Sequence, residues 1–172
     1  MLRKTQESRD ILYYCDFHGH SRCKNLFMYG CSNVRHDRLK ERVFPLLFHN
    51  NCELFSFNNC SFNVQKQRES TARVVMWREF QLINSFTLEV SFCGPTSGLY
   101  KDCHFTISAL KEMGDYFCKT LIDYAENGSK VMQAFHDLEI MFPKADDPTP
   151  TGKEDKNDNK FFGIEDEETK DE

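Results

Sequence analysis

The chain has 172 residues, of which 40% are hydrophobic and 13% aromatic, and this composition is typical of one globular domain with a sizeable core. Its formal net charge of −5 at pH 7 argues against a nucleic-acid partner. No apolar stretch approaches the roughly 18 residues that a membrane span requires, and the first residues lack the apolar core of a secretory signal. We therefore expect a cytosolic protein with neither a nucleic-acid nor a membrane partner.

The negative charge is concentrated at the C-terminal end. The segment from Lys144 to Glu172 contains eleven acidic residues and five lysines, so the rest of the chain is close to neutral. A segment of this composition buries too little apolar area to offset the entropy that it loses on ordering. The sequence therefore predicts a folded region at residues 1–142 and an acidic disordered tail at residues 143–172.

Eight cysteines are spread along the chain without the C-x2-C pairs of a structural zinc site. In a reducing compartment such residues are small hydrophobic side chains with free thiols. We therefore predict buried, reduced cysteines and no disulfide bonds.

The first half of the chain contains four predicted elements. Residues 11–17 (ILYYCDF) form an apolar run that predicts a buried strand ending in a polar loop, and residues 26–29 predict a second short strand. Residues 39–48 have apolar side chains at helical spacing and predict a helix kinked or restarted at Pro45. Residues 55–64 alternate loosely and predict an irregular strand.

The next segment is ambiguous and is followed by the clearest strand in the sequence. Residues 70–77 are compatible with either a helix or a strand. Residues 83–92 (INSFTLEVSF) are rich in β-branched and aromatic side chains and predict a strand, with Glu89 in its middle.

The last part of the folded region is predicted to be helical. Residues 105–124 carry apolar side chains at three- and four-residue steps, with Thr106 or Ser108 as the N-cap. Ser129 is the predicted cap of a final short helix that ends at Phe142. Strands separated by helices indicate an α/β layered domain.

A His-Gly-His sequence follows the first predicted strand, where α/β sheets commonly bind ligands. Neutral imidazole is a good zinc ligand, and Asp16 could orient His18 from two residues away. The alternative is that one histidine, His18 or His20, is a polar loop residue and that the other is a core residue holding a hydrogen bond. Spacing alone does not decide between these interpretations.

A glutamate and a pair of arginines could also carry chemistry. Glu89 is a carboxylate within an apolar strand, which is typical of a general acid or base but equally of a side chain that points to solvent. Arg68 and Arg73 form a polar patch that could bind carboxylates or could be a solvated surface. The H-x-x-E of His136 and Glu139 is attributed to an exposed helix face.

Four blocks of sequence follow one another over residues 11–125: YCDFHGHSR with FMYGC, ESTARVVMWRE, NSFTLEVSFCG, and HFT with LKEMGDYFC. Together they resemble the cytosolic carboxypeptidases, the tubulin-deglutamylating branch of the zinc carboxypeptidases. The resemblance implies an α/β fold with a mixed, twisted sheet flanked by helices, of which this chain would form the C-terminal half.

The resemblance also implies roles for three residues. His18 matches the third Zn²⁺ ligand of the family, whereas His20 does not. Glu89 matches the catalytic glutamate that takes a proton from the attacking water. Arg73 lies near the position that sets side-chain preference, where a basic residue suits a terminal glutamate. The implied substrates are glutamate-rich protein tails such as those of tubulin.

The family pattern is not complete in this sequence. An upstream H-x-x-E that gives two further zinc ligands does not occur before Asp10, nor do the asparagine and arginine residues that hold the terminal carboxylate of the substrate. We therefore expect the chain alone to be inactive as a peptidase. The alternative function is that of an inactive module that binds acidic C-terminal tails.

Overall fold

The computed structural model describes residues 2–32, 38–98 and 100–143, which contain three strands and five α-helices joined by loops and 3₁₀ turns. All of the predicted acidic tail except Pro143 lies outside these residues. The strands and helices are, in chain order, α1 (Leu2–Gln6), β1 (Tyr14–His20), β2 (Leu26–Tyr29), α2 (Lys40–Asn51), α3 (Ala72–Phe80), β3 (Ser85–Ser91), α4 (Ile107–Glu126) and α5 (Gly128–Met141).

The three strands form one mixed sheet in the order β1-β3-β2. The central strand, β3, runs parallel to β1 and antiparallel to β2. Parallel strands need a long crossover connection, and the connection from β1 to β3 contains α2 and α3. The predicted α/β class, with a mixed sheet flanked by helices, is confirmed.

The two faces of the sheet have different partners. Phe86 and Leu88 of β3 lie on one face and belong to a single hydrophobic core with residues of α2, α4 and α5. Because side chains alternate along a strand, Glu89 lies on the opposite face. There α3 packs on the sheet, and Ser85 Oγ donates a hydrogen bond of 2.7 Å to the carbonyl oxygen of Arg73.

The centre of the core is an aromatic cluster around Phe44 of α2. Its ring centroid lies 4.5 Å from that of Tyr13, 5.7 Å from that of Phe117 and 6.0 Å from that of Phe86. Phe44 thus joins one helix of the crossover to α4, to β3 and to the residues before β1. Aromatic pairs at these distances add to the stabilisation that burial of their area provides.

Two of the strand predictions need correction. The first strand begins later than predicted and continues through the His-Gly-His sequence, because residues 14–20 pair one by one with β3. The predicted strand at residues 55–64 is wrong. It contains a 3₁₀ turn at Phe57–Asn59 and two isolated bridges to β2, and a thiol replaces part of the ladder: the backbone N–H of Met28 donates to Cys60 Sγ at 3.3 Å.

The helix predictions are confirmed with small corrections. Residues 72–80 of the ambiguous segment form α3, and α2 runs continuously through Pro45 at the cost of one helical hydrogen bond. Thr106 caps α4 by accepting a hydrogen bond from the N–H of Ala109. Asn127, and not Ser129, caps α5: the helix begins at Gly128, so Ser129 lies inside its first turn, and Asn127 Oδ1 accepts from the N–H of Lys130 at 3.3 Å.

The cysteines are all free thiols, as predicted, but they are not all buried. Cys93, Cys103 and Cys118 are exposed, the first two on the loop after β3 and the last on the outer side of α4. Among residues 2–32, 38–98 and 100–143, no helix combines the length and the apolar character that crossing a bilayer would demand.

We expect Phe44→Ala to lower the free energy of unfolding by about 3–5 kcal/mol, because it removes the ring at the centre of the aromatic cluster and leaves a cavity. Ile122→Ala is the matched control, since Ile122 is 57% exposed on α4, and it should change stability by less than about 0.5 kcal/mol. Urea unfolding measures both. Equal losses in the two variants would contradict this description of the core.

We expect Asp123→Asn to destabilise the chain at pH 7 by up to about 1 kcal/mol. Lys130, 2.8 Å away, and the Asn51 amide hold the pKa of the Asp123 carboxyl below its usual range. A lowered carboxyl pKa stabilises the folded state above the unfolded pKa, and this contribution is lost as pH falls through the folded value. In thermal melts, Asp123→Asn should therefore be less stable than the unmodified chain at pH 7 and equally stable at pH 2.5. The control Asp115→Asn should match the unmodified chain at both pH values.

Candidate active site

A cleft of about 630 Å³ lies on the polar face of the sheet. Its walls come from β1, β3, the residues that follow β1, the segment 61–68 and the first turn of α3. Side chains that bear on its chemistry are Asp16, His18, Tyr29, Arg68, Arg73 and Glu89. The three residues singled out in the sequence, His18, Arg73 and Glu89, therefore line one cavity.

His18 and Glu89 are brought together by the sheet register. They are paired residues of the parallel strands β1 and β3, so their side chains leave the same face at neighbouring positions. His18 is 58% exposed, and its Nε2 lies 3.6 Å from Asp16 Oδ2. The sequence placed His18 in a loop, but the structure places it within β1, where the strand fixes its direction.

Glu89 is a buried carboxylate without a hydrogen-bond donor in the described part of the chain. Only 8% of the residue is exposed, and β3 is the central strand of the sheet. Burial raises the pKa of its carboxyl, Asp16 raises it further, and His18, Arg68 and Arg73 pull it down. The alternative of a solvent-facing glutamate is therefore wrong. Such an environment is typical of a carboxyl group that exchanges protons.

Arg73 lies in the first turn of α3 and contributes a buried guanidinium to the cleft. The residue is 7% exposed. Its Nη1 donates to the carbonyl oxygen of Gly30 and to Cys31 Sγ, 3.4 Å away. Within residues 2–32, 38–98 and 100–143, its other nitrogen atoms have no hydrogen-bond partner. The patch of Arg68 and Arg73 is thus divided, since Arg68 is exposed at the rim and Arg73 is buried in the wall.

The donor set for a metal ion is incomplete in this region. Among the residues described, no three His, Cys, Asp or Glu side chains lie close enough together to hold an ion. His18 offers an imidazole beside the Asp16 carboxylate, which is a common arrangement for one ligand and its orienting partner. These residues fit one coordination position, and a catalytic site with three protein ligands needs more.

His20 has a structural role at the end of β1. Its Nδ1 accepts hydrogen bonds from the backbone N–H groups of Arg22, at 3.2 Å, and Cys23, at 2.9 Å. The ring also packs edge-on against Phe27, with 5.2 Å between centroids. The interpretation of one histidine as a core residue holding a hydrogen bond is thus confirmed for His20 in the hydrogen bond, but His20 is half-buried and not in the core.

Sequence reasoning missed several residues of the cleft, and period-two alternation could have found some of them. Thr87 lies two positions before Glu89 on the same strand and therefore on the same face. Tyr29 is paired with Thr87 across the antiparallel ladder, which no local signal reveals. His136 and Glu139 are exposed on α5 and do not line the cleft.

Curated proteins of one family are similar to most of this chain. Cytosolic carboxypeptidase 3 of Mus musculus is 45% identical over 148 residues, which cover 82% of this chain and 15% of that protein. Cytosolic carboxypeptidase 2 of Mus musculus is 49% identical over 141 residues, covering 80% and 16%. Cytosolic carboxypeptidase 2 of Homo sapiens is 50% identical over 128 residues, covering 73% and 14%.

A solved structure shows the same fold. The crystal structure of a metallo-carboxypeptidase from Burkholderia cenocepacia superposes with a TM-score of 0.58 over 73% of this chain and 33% of that one, at 15% identity. No family model matches the chain. The chain spans about 15% of the length of the curated relatives that it matches. On the strength of these relatives and this fold, the chain belongs to the cytosolic carboxypeptidase family.

Proposed function

We propose that the chain forms part of the active site of a zinc carboxypeptidase that removes C-terminal or side-chain-linked glutamates from proteins such as tubulin. The observation that carries the proposal is the buried Glu89 carboxylate, which lies next to His18 in the sheet and shares a cleft with the buried Arg73. A buried acid, an imidazole and a guanidinium in one cleft are three of the groups that this reaction would use.

His18 is the proposed metal ligand. Its Nε2 faces Asp16, which leaves Nδ1 as the nitrogen to hold the ion and Asp16 to fix the direction of the ring. A bound zinc ion would supply polarisation of the scissile carbonyl. The metallo-carboxypeptidase of similar fold and the family membership support a metal in the complete site.

Glu89 is the proposed general base. With its pKa raised by burial, the carboxylate accepts a proton from the attacking water more readily than an exposed glutamate does. The same carboxyl then delivers that proton to the leaving amine. Its two oxygens have no donor among the described residues, so they remain available for both transfers.

Arg73 is the proposed group for substrate selection. A guanidinium can bind a carboxylate with two parallel hydrogen bonds, and burial strengthens such a pair. A glutamate side chain at the substrate terminus provides the matching charge. Glutamate-rich tails, as in tubulin, present this side chain repeatedly. The names of the relatives support a cytosolic location for this reaction.

A second function follows from the incomplete donor set. Within residues 2–32, 38–98 and 100–143, His18 belongs to no group of three side chains that could hold an ion, whereas Arg73 is held in place without a metal. A chain with the pocket and without the metal would bind acidic C-terminal tails and not cleave them. We propose this as the behaviour of the isolated chain.

The isolated chain should therefore bind no zinc tightly and release no glutamate from a polyglutamate peptide. Zinc content after dialysis and amino-acid analysis of the peptide digest measure the two properties, with His18→Ala as the matched variant. Stoichiometric zinc together with release that depends on His18 would contradict the prediction. It would mean that other ligands exist, and His136 and Glu139 would be tested first.

We expect Glu89→Gln to stabilise the chain at neutral pH in the presence of a chelator. The raised carboxyl pKa means that the folded state holds its proton more tightly than the unfolded state, so stability falls as pH rises from about 4.3 through the folded value. Glutamine carries no charge and avoids this loss. Melts at pH 4 and pH 7.5 should show a gain only at the higher pH.

The control for this charge change is Glu126→Gln, since Glu126 is exposed at the end of α4. Its melts should match those of the unmodified chain at both pH values. A Glu89→Gln variant that is less stable than the unmodified chain at pH 7.5 would show that the carboxylate has a stabilising partner. That result would contradict the proposal that Glu89 is the general base.

A further inference from the structure

The guanidinium of Arg73 is held from behind by the residues that follow β2. Its Nη1 contacts both the Gly30 carbonyl oxygen and Cys31 Sγ, the latter at 3.4 Å. Cys31 is fully buried and does not itself line the cleft. At the other end of the residue, the Arg73 carbonyl accepts from Ser85 Oγ at 2.7 Å. Both ends of Arg73 are therefore anchored.

The segment that carries these two acceptors, residues 30–32, is hydrogen-bonded to the neighbouring segment at residues 61–62. The N–H of Gly30 donates to Ser61 O at 2.9 Å, and the N–H of Ser32 donates to Phe62 O at 2.8 Å. A Cβ at position 30 would lie 2.5 Å from Phe62 Cδ1, so only glycine permits this close packing. Cys31 lies between the two backbone hydrogen bonds and cannot move independently of them.

The Cys31 thiol holds the guanidinium without neutralising it. Burial raises the pKa of Cys31, although Arg73 lowers it in part. The thiol therefore stays protonated and acts as a neutral sulfur acceptor. A carboxylate at the same place would pair with Arg73 and cancel its charge. Because Arg73 lines the cleft, its positive charge and the nitrogen atoms that have no partner among the described residues stay available there.

We propose that Cys31 is a positioning residue for substrate selection, which holds Nη1 of Arg73 so that the remaining donors face the side-chain carboxylate of an acidic C-terminal residue. The inference rests on the proposed function, because it assigns a purpose to the Arg73 pocket. It adds a residue that the cleft itself does not expose.

The test measures the preference of the full chain for an acidic terminus, with a chelator present. Two fluorescent peptides differ only in ending in glutamate or glutamine, and the ratio of their dissociation constants is the readout. Cys31→Ala and Cys31→Val both remove the acceptor, and valine preserves most of the volume. Cys31→Ser keeps an acceptor at the same place. Cys52→Ala removes a buried thiol that does not line the cleft.

We expect the preference for glutamate to fall about 3- to 10-fold in Cys31→Ala and Cys31→Val, as the loss of one hydrogen bond of ordinary net strength predicts, since sulfur is a weak acceptor. Cys31→Ser should keep most of the preference, and Cys52→Ala should keep all of it. A merely structural role for Cys31 would weaken binding of both peptides equally and leave the ratio unchanged.

The two levels of the proposal fail in different ways. If Arg73→Ala abolishes the preference while Cys31→Ala and Cys31→Val retain it, the inference about Cys31 is overturned and the proposed pocket stands. If the unmodified chain binds neither peptide or shows no preference, the proposed function of Arg73 is overturned and the inference with it.

Discussion

The parallel register between β1 and β3 is the constraint on which the site depends. It pairs His18 with Glu89, so two side chains 71 positions apart in sequence leave one face of the sheet side by side. A slip of one residue would turn Glu89 into the hydrophobic core and Phe86 or Leu88 into the cleft. The aromatic packing of Phe44 on Phe86 therefore holds the face that bears the cleft in position from the opposite side of the sheet.

Two buried groups of opposite charge stand in the cleft without hydrogen bonds to each other. The Glu89 carboxylate has no donor, and Arg73 uses only Nη1, among the residues that the structure describes. Burying charged groups in this way is unfavourable for stability, and folds retain it where a ligand or a reaction provides the missing partner. In the proposed function, Glu89 marks the position for proton transfer and Arg73 the position for carboxylate binding.

The strength of each sequence signal explains which features could be predicted. The strand that carries Glu89 is predictable because its β-branched and aromatic residues are neighbours in sequence. The cap at Thr106 is predictable because the N–H that it accepts from belongs to Ala109, only three residues further along the chain. The contacts of Arg73 with Gly30 and Cys31 join segments more than 40 residues apart, so no local pattern contains them. The error at residues 55–64 has a similar origin, because a thiol of that segment replaces a backbone acceptor.

A hybrid enzyme tests the central claim most directly. Residues 11–142 would replace the matching segment of Mus musculus cytosolic carboxypeptidase 2, which is 49% identical to this chain over 141 residues. If Glu89 is the catalytic base, the hybrid releases glutamate from peptides that end in it, and Glu89→Gln lowers the rate at least about 100-fold. A folded, active hybrid whose Glu89→Gln variant keeps its rate would contradict the account.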